Sequence, residues 1–296
     1  MTALSFEEFE VLASGVEPGR GRPAGASAEL ARARLRERGL IDGGGVTAAG
    51  VRALEPYRVR RAIVLAAGRG ERMLPATRAV PKPMVEVGGV PLVHFALKAL
   101  IKAGITEIHV VRGYLADRLD PLREVYPPLR FIDNPRFDET NNITSLMAAR
   151  HLLGGSYVMD ADLVIRNAGL ISAYQYRSNY LAIPTDRPRG WCFSTDRAGR
   201  ITGAGTQVSE GVHEIVGISY WTPEDGRRLA GDLPRVMAMP GGETRYWDTA
   251  AIQYFPERYR VYVRPCRADD VVELDTYEEL TRFRAELAAK GATLVA

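Results

Sequence analysis

Gly68, Arg69, Gly70, Arg72 and Lys82 are spaced as a polyphosphate site would need them. Gly68 and Gly70 let the backbone turn tightly and bring amide N–H groups close to a polyanion. Arg69 and Arg72 add forked donors, and Lys82, held between Pro81 and Pro83, adds a compact ammonium. A second group, Asp160-Ala161-Asp162, offers carboxylates of the kind that take Mg²⁺, which prefers one or two protein oxygens completed by phosphate and water. A third, Asn141, Asn142, Thr144 and Ser145, carries enough amide and hydroxyl groups to read the edge of a pyrimidine, although helix capping alone would use one or two of them.

Two commoner glycine loops are excluded by the residues present. A dinucleotide fingerprint needs a third glycine where Met73 stands, and a P-loop needs Gly-Lys-Ser/Thr, which occurs nowhere in the chain. Only Cys192 and Cys266 are present, and His94, His109, His151 and His213 lack ligand spacing, so any metal is expected to be oxygen-bound.

These groups need a frame that brings them together. The apolar run 62–66, with β-branched Ile63 and Val64, reads as a strand buried on both faces of a parallel sheet, and the glycine loop leaves its carboxyl end. Strands at 107–111, 129–132 and 156–159 then alternate with helices over 91–103, 115–125 and 143–153, the pattern of a doubly wound, mostly parallel α/β sheet. The strand at 157–159 delivers Asp160 and Asp162 to the same edge as the glycine loop. Later segments at 180–183, 191–194, 201–203 and 214–221 suggest an antiparallel flap carrying an acceptor site. Helices over 223–230, after Trp247 and over 276–290, with a strand at 259–264, complete that domain.

The run G-x-G-x-R-x-x-P-x-T-x-x-x-P-K-P from Gly68 to Pro83 resembles the signature of nucleotidyltransferases that activate sugar phosphates and small phospho-alcohols. Within that family, N-N-x-x-S-L at 141–146, Y-V-x-D-A-D, Y-W-D and the E-L-D-T turn before the last helix resemble bacterial phosphocholine and phosphonate cytidylyltransferases over most of 61–290. The resemblance implies a Rossmann-like fold, CTP as substrate and Mg²⁺ as cofactor. It implies nucleotide contacts from Leu65, Ala66, Ala67, Gly68, Arg69, Gly70, Asn141, Asn142, Thr144, Ser145, Asp160 and Ala161, with Lys82 and Arg72 acting on the phosphates. It also implies metal ligation by Asp162 and Asp248; Asp160 could equally brace its loop, and Asp248 could cap the helix that begins there.

For the acceptor, the aromatic residues Trp191 and Tyr246 resemble remnants of a box for a trimethylammonium group. Gly190 stands where an acidic residue is expected before Trp191, and Arg187 and Arg189 lie close by. That shift favours a phosphonate such as 2-aminoethyl- or 2-hydroxyethylphosphonate, with phosphocholine next. The alternatives are a sugar-1-phosphate or inositol-phosphate nucleotidyltransferase and, from another class, a non-catalytic regulatory protein on the same fold.

Residues 1–58 read as a winged-helix-like accessory module ahead of a catalytic domain at 59–296, and 1–57 are expected to be dispensable because the nucleotide site starts at Leu65. The Gly- and Pro-rich stretch 16–26 argues against a helix-turn-helix and so against DNA binding. Only four of the 39 basic residues are lysine and the net charge is +3, a composition bias rather than a nucleic-acid footprint. With 46% hydrophobic and 25% charged residues and no run long enough to span a bilayer, a cytoplasmic enzyme without membrane attachment is expected. The sequence leaves room for a homodimer without specifying one.

Overall fold

The computed structural model describes residues 3–186, 190–206 and 211–290. They fall in two compact units, Met1–Val59 with Gly169–Tyr176, and Arg60–Ala168 with Arg177–Ala296. The division expected from sequence, 1–58 against 59–296, does not foresee that a second stretch belongs with the first unit.

That unit contains α1 (Phe6–Val16), α2 (Ala26–Glu37), a hairpin of β1 (Ile41–Asp42) and β2 (Gly45–Val46), and α3 (Ala48–Leu54). A capping box starts α1: Ser5 Oγ accepts the Glu8 amide at 3.2 Å and Glu8 Oε2 accepts the Ser5 amide at 2.9 Å. Gly50 in α3 has no room for a side chain, since a Cβ would stand 2.2 Å from the Leu40 carbonyl oxygen. Phe9, Leu12, Leu35 and Leu54 form the core with Tyr174 from the second stretch. Tyr176 from the same stretch stacks on Tyr57 at 5.2 Å and donates to the Leu4 carbonyl at 3.0 Å.

The second unit begins with β3 (Arg61–Ala66), the short hairpin β4 (Glu86–Val87) and β5 (Val90–Pro91), α4 (Leu92–Lys102), β6 (Glu107–Arg112), α5 (Leu122–Val125), β7 (Leu129–Asp133), α6 (Ile143–Ala148), β8 (Ser156–Asp160) and β9 (Leu163–Ile165). It continues with β10 (Asn179–Pro184), β11 (Cys192–Thr195), β12 (Ile201–Gly205), β13 (His213–Trp221), α7 (Pro223–Met237), β14 (Tyr262–Pro265), β15 (Val271–Glu273) and α8 (Tyr277–Lys290). Strands β8, β3, β6 and β7 lie side by side and parallel, and β3 is buried from Ala62 to Ala66, as its unbroken apolar run requires. Burying each of its larger side chains contributes about 1.5–3 kcal/mol relative to exposure.

The chain steps outward from β3 to β6 and β7, then returns to the other side of β3 with β8. That reversal makes the carboxyl ends of β3 and β8 a topological switch point, where open α/β sheets leave a crevice. On the far side of β8 the sheet turns antiparallel through β13, which also pairs with β10 and β11, while β12 pairs with β11 and β14 runs parallel to β10. The expected antiparallel flap is therefore a continuation of the central sheet. Helix α7 runs past its expected end at 230 with Pro234 inside it, and the helix expected after Trp247 is a short π-type turn, Ala250–Tyr254. No helix among the described residues is long and apolar enough to cross a membrane.

Candidate functional site

The glycine loop leaves β3 at the switch point and is tied down by its own residues. Ala67 accepts the Tyr114 amide at 3.0 Å, and Thr77, almost wholly buried, donates through Oγ1 to the Gly70 carbonyl at 2.9 Å. Gly70 has φ 64°, and a Cβ there would lie 2.9 Å from Lys82 Cβ, so only glycine lets the loop turn and approach the lysine stem. Arg69 forms a forked ion pair with Asp138, and Arg72 reaches Asp275 at 2.9 Å.

Lys82 Nζ lies 2.5 Å from Asp162 Oδ2 and 2.8 Å from Asp275 Oδ1. Burial opposes its charge, yet the two carboxylates outweigh burial and raise its pKa. Asp162 and Asp275 meet because β9, which starts just after Asp162, pairs antiparallel with β15, setting Leu163 opposite Glu273. The Leu274 amide then donates to the Asp162 carbonyl at 3.2 Å. Asp275 is fixed from the other side by Glu279, whose Oε2 accepts the amides of Asp275 and Thr276, each at 2.9 Å.

One oxygen each from Asp162, Glu273 and Asp275 lies within 4.8 Å of the others. Asp162 Oδ1 is buried without a hydrogen-bond partner. An all-oxygen set with an orphaned carboxylate atom fits a hard divalent cation. Asp248, expected from the sequence as the second ligand, is not in this group. Asp160 is the carboxyl on which its charge acts: enclosure first, then the charges of Asp162 and Asp248, hold Asp160 well above the usual carboxylate range. A Cβ on Gly217 would stand 2.1 Å from Asp160 Oδ2, so that glycine makes room for the carboxyl.

Two clefts adjoin here. One, of about 510 Å³, is lined by the expected nucleotide residues Leu65 to Gly70, Asn141, Asn142, Ser145 and Asp160 to Asp162, together with Arg72 and Lys82. Thr144 does not line it. Its hydroxyl and that of Ser145 are buried and accept from Asn134 Nδ2 at 3.1 Å each, so the pair braces the segment. Asn142 Oδ1 accepts the Trp247 amide at 3.1 Å, and Asn141 Nδ2 donates to the Thr244 carbonyl at 3.2 Å.

The other cleft, of about 720 Å³, holds Trp191, Tyr246, Trp247, Asp248 and Glu214. Trp191 and Tyr246 are 44% and 47% exposed with ring centroids 6.5 Å apart. Burial pushes the Asp248 carboxyl up to about 6, with the Asp248 and Thr249 amides pulling the other way. Arg189, expected at the acceptor, lies outside the described residues, as does Arg187. Glu214 was missed because nothing local marks it; it faces Cys192, next to Trp191, only through the register of β11 on β13. Glu273 and Asp275 were missed although the E-L-D-T turn that carries them stands out in the sequence.

A family model described as nucleotidyl transferase matches residues 61–121. The chain is 34% identical over 225 residues to a 2-aminoethylphosphonate cytidylyltransferase of Lancefieldella rimae, covering 75% of this chain and 91% of that protein. It is 28% identical over 235 residues to a choline-phosphate cytidylyltransferase of Streptococcus pneumoniae, covering 75% and 96%. Among solved structures, a CTP:phosphocholine cytidylyltransferase from Streptococcus pneumoniae superposes with TM-score 0.70 at 26% identity, covering 78% of this chain and 99% of that one.

Proposed function

The chain belongs to the nucleotidyl transferase family, and on that premise we propose that it transfers CMP from CTP to a small phosphonate or phospho-alcohol, releasing pyrophosphate. One observation carries the reading: Asp160, Glu273, Asp275 and Arg72 wall both clefts, so a phosphate chain in one meets an acceptor in the other beside the carboxylates.

Such an acceptor needs no general base, because a phosphonate or phosphate oxygen is already anionic near neutrality and has only to be aligned and relieved of charge repulsion. The loop amides from Gly68 to Gly70 and the Arg72 guanidinium would bind the departing pyrophosphate. Lys82 would neutralise the oxygens around the reacting phosphorus, and Asn141 and Asn142 would meet the base. Mg²⁺ held by Asp162 and Asp275, with Glu273 beside them, would supply the remaining charge neutralisation between nucleotide and acceptor.

In the larger cleft, Asp248 and Glu214 beside Trp191 and Tyr246 suit a cationic tail by charge and by cation–π attraction. This revises the preference drawn from Arg187 and Arg189 alone: 2-aminoethylphosphonate is favoured over 2-hydroxyethylphosphonate. The first unit, with its order of two helices, a hairpin and a helix, we read as winged-helix-like. A cytoplasmic location follows for an enzyme that consumes CTP.

The test is pyrophosphate release with CTP, UTP, dTTP or GTP against 2-aminoethylphosphonate, 2-hydroxyethylphosphonate, phosphocholine and sugar phosphates. The expected outcome is turnover with CTP and greatest kcat/KM for the aminophosphonate; preference for UTP with a sugar 1-phosphate would sink the reading.

A further inference from the structure

The carboxylates of the oxygen-rich centre are not free to receive a cation. Lys82 Nζ sits between two of them, 2.5 Å from Asp162 Oδ2 and 2.8 Å from Asp275 Oδ1, and Arg72 reaches the same Asp275 oxygen at 2.9 Å. We propose that Lys82 is a resident counter-ion that excludes a bare divalent cation from this centre, so that metal is admitted only when the phosphate chain of a nucleotide draws the ammonium aside. The proposal rests on the nucleotidyl-transfer reading and adds an order of events to it.

The geometry makes the two cations competitors. Mg²⁺ bonds carboxylate oxygen at about 2.1 Å, and the gap between Asp162 Oδ2 and Asp275 Oδ1 is the one that Nζ already spans. Two positive centres in so small a space repel strongly in a part-buried site. Lys82 must therefore leave, and its side chain, 13% exposed, has little freedom to do so. Its stem abuts Gly70, where even a Cβ would come within 2.9 Å of Lys82 Cβ, and Pro81 and Pro83 flank it in a 3₁₀ turn.

The same surroundings supply the exit. Lys82 lines the 510 Å³ cleft together with Gly68, Arg69, Gly70 and Arg72, so a phosphate chain bound there offers the ammonium a new anionic partner without a change of cleft. Arg72 is drawn off Asp275 by the same anion. The move leaves Asp162 Oδ2 and Asp275 Oδ1 beside Asp162 Oδ1, which has no partner now. Without nucleotide, the lysine balances the carboxylates; with nucleotide, it joins the phosphates as metal takes its place.

Mn²⁺ is the probe, titrated calorimetrically and by thermal shift into the full-length chain, with no turnover required. Wild-type protein without nucleotide is expected to bind Mn²⁺ weakly and to show no rise in Tm, and to bind it well once a non-hydrolysable α,β-methylene CTP is added. Lys82→Met is expected to bind Mn²⁺ alone at least about tenfold more tightly than wild type, because one site charge has been removed. Lys82→Arg, which keeps the charge, is expected to behave as wild type does. Wild type binding Mn²⁺ alone as tightly as Lys82→Met, or Lys82→Arg binding as tightly as Lys82→Met, overturns the proposal. Were Lys82→Met to misfold, tight Mn²⁺ binding by nucleotide-free wild type would overturn it alone. Failure of the acceptor screen would remove the cytidylyl-transfer reading while leaving this metal comparison intact.

Discussion

Two places in the molecule set one basic side chain against two carboxylates, and they are completed to different degrees. In the N-terminal unit Arg20 pairs with Glu10 and Glu17 at 2.7 Å each, and also donates to the Tyr174 carbonyl at 3.2 Å. Glu17 Oε1 takes the Ala173 amide at 2.5 Å, and both its oxygens face the Ser172 hydroxyl. Burial works against the Arg20 charge, but the hydrogen bonds and charges of the two glutamates raise its pKa overall. In the catalytic unit Lys82 serves Asp162 and Asp275, yet Asp162 Oδ1 has no partner, and Asp160 and Glu273 bring two further carboxyl groups, both pushed up by burial and by their neighbours' charges. The same motif, one basic side chain between two carboxylates, thus serves as a brace or as a binding centre according to the atoms left over.

The broadest way to break the contrast is to delete residues 1–57. The deletion removes Arg20, Glu10 and Glu17 and strips Tyr174 and Tyr176 of Phe9, Leu12 and Tyr57. We expect loss of soluble, folded protein on expression, contrary to what the position of the nucleotide loop alone suggests; a truncated chain with wild-type Tm would show that the brace is ornamental. Exchanging single members sharpens the comparison. Asp162→Asn is expected to lower kcat/KM for CTP by about 10²–10³-fold with Tm unchanged or higher, since it relieves carboxylate repulsion. Arg20→Ala is expected to cost about 3–5 kcal/mol in urea unfolding with kcat of the folded fraction unchanged. Reversal of that pattern would mean that the two clusters had been assigned the wrong way round.

The smallest effect concerns Asp248. Its carboxyl, raised by burial to about 6, keeps its proton at pH 5 and is charged at pH 7. If it faces the ammonium of 2-aminoethylphosphonate, KM for that acceptor falls by about tenfold, or 1.4 kcal/mol, as pH rises through 6. KM for 2-hydroxyethylphosphonate, which lacks the cation, changes less, and Asp248→Asn removes the difference. The stability sign is opposite: an acid whose folded pKa is raised favours the folded state below its ordinary pKa and loses that contribution as pH rises through about 6. Asp248→Asn is therefore the more stable protein at pH 7.

What was legible in the sequence was what is local. The β3 run, the glycine loop and the Pro-Lys-Pro turn each carry their structural reason within a few residues, and the parallel order of β3, β6, β7 and β8 follows from their alternation with helices. What was not legible depends on pairing across long separations. Asp162 and Asp275 meet only because β9 zips against β15, and Glu214 reaches Trp191 only through the β11–β13 register. Thr144 and Ser145 have the chemistry to read a base, and no local pattern announces that both hydroxyls also accept from Asn134, just past the end of β7. Periodicity likewise gave no hint that Gly169–Tyr176, lying between β9 and β10, completes another unit's core.

That split has a consequence for synthesis. A ribosome delivers the chain from its N-terminus at about 5–20 residues per second, so Val59 emerges roughly ten seconds before Tyr176 can join the unit that Val59 ends. During that interval β3, β6, β7, β8 and β9 have all appeared, while Phe9 and Tyr57 still lack the Tyr176 ring that packs against both. The part of the protein made first therefore waits, incomplete, until the inserted stretch Gly169–Tyr176 has been made.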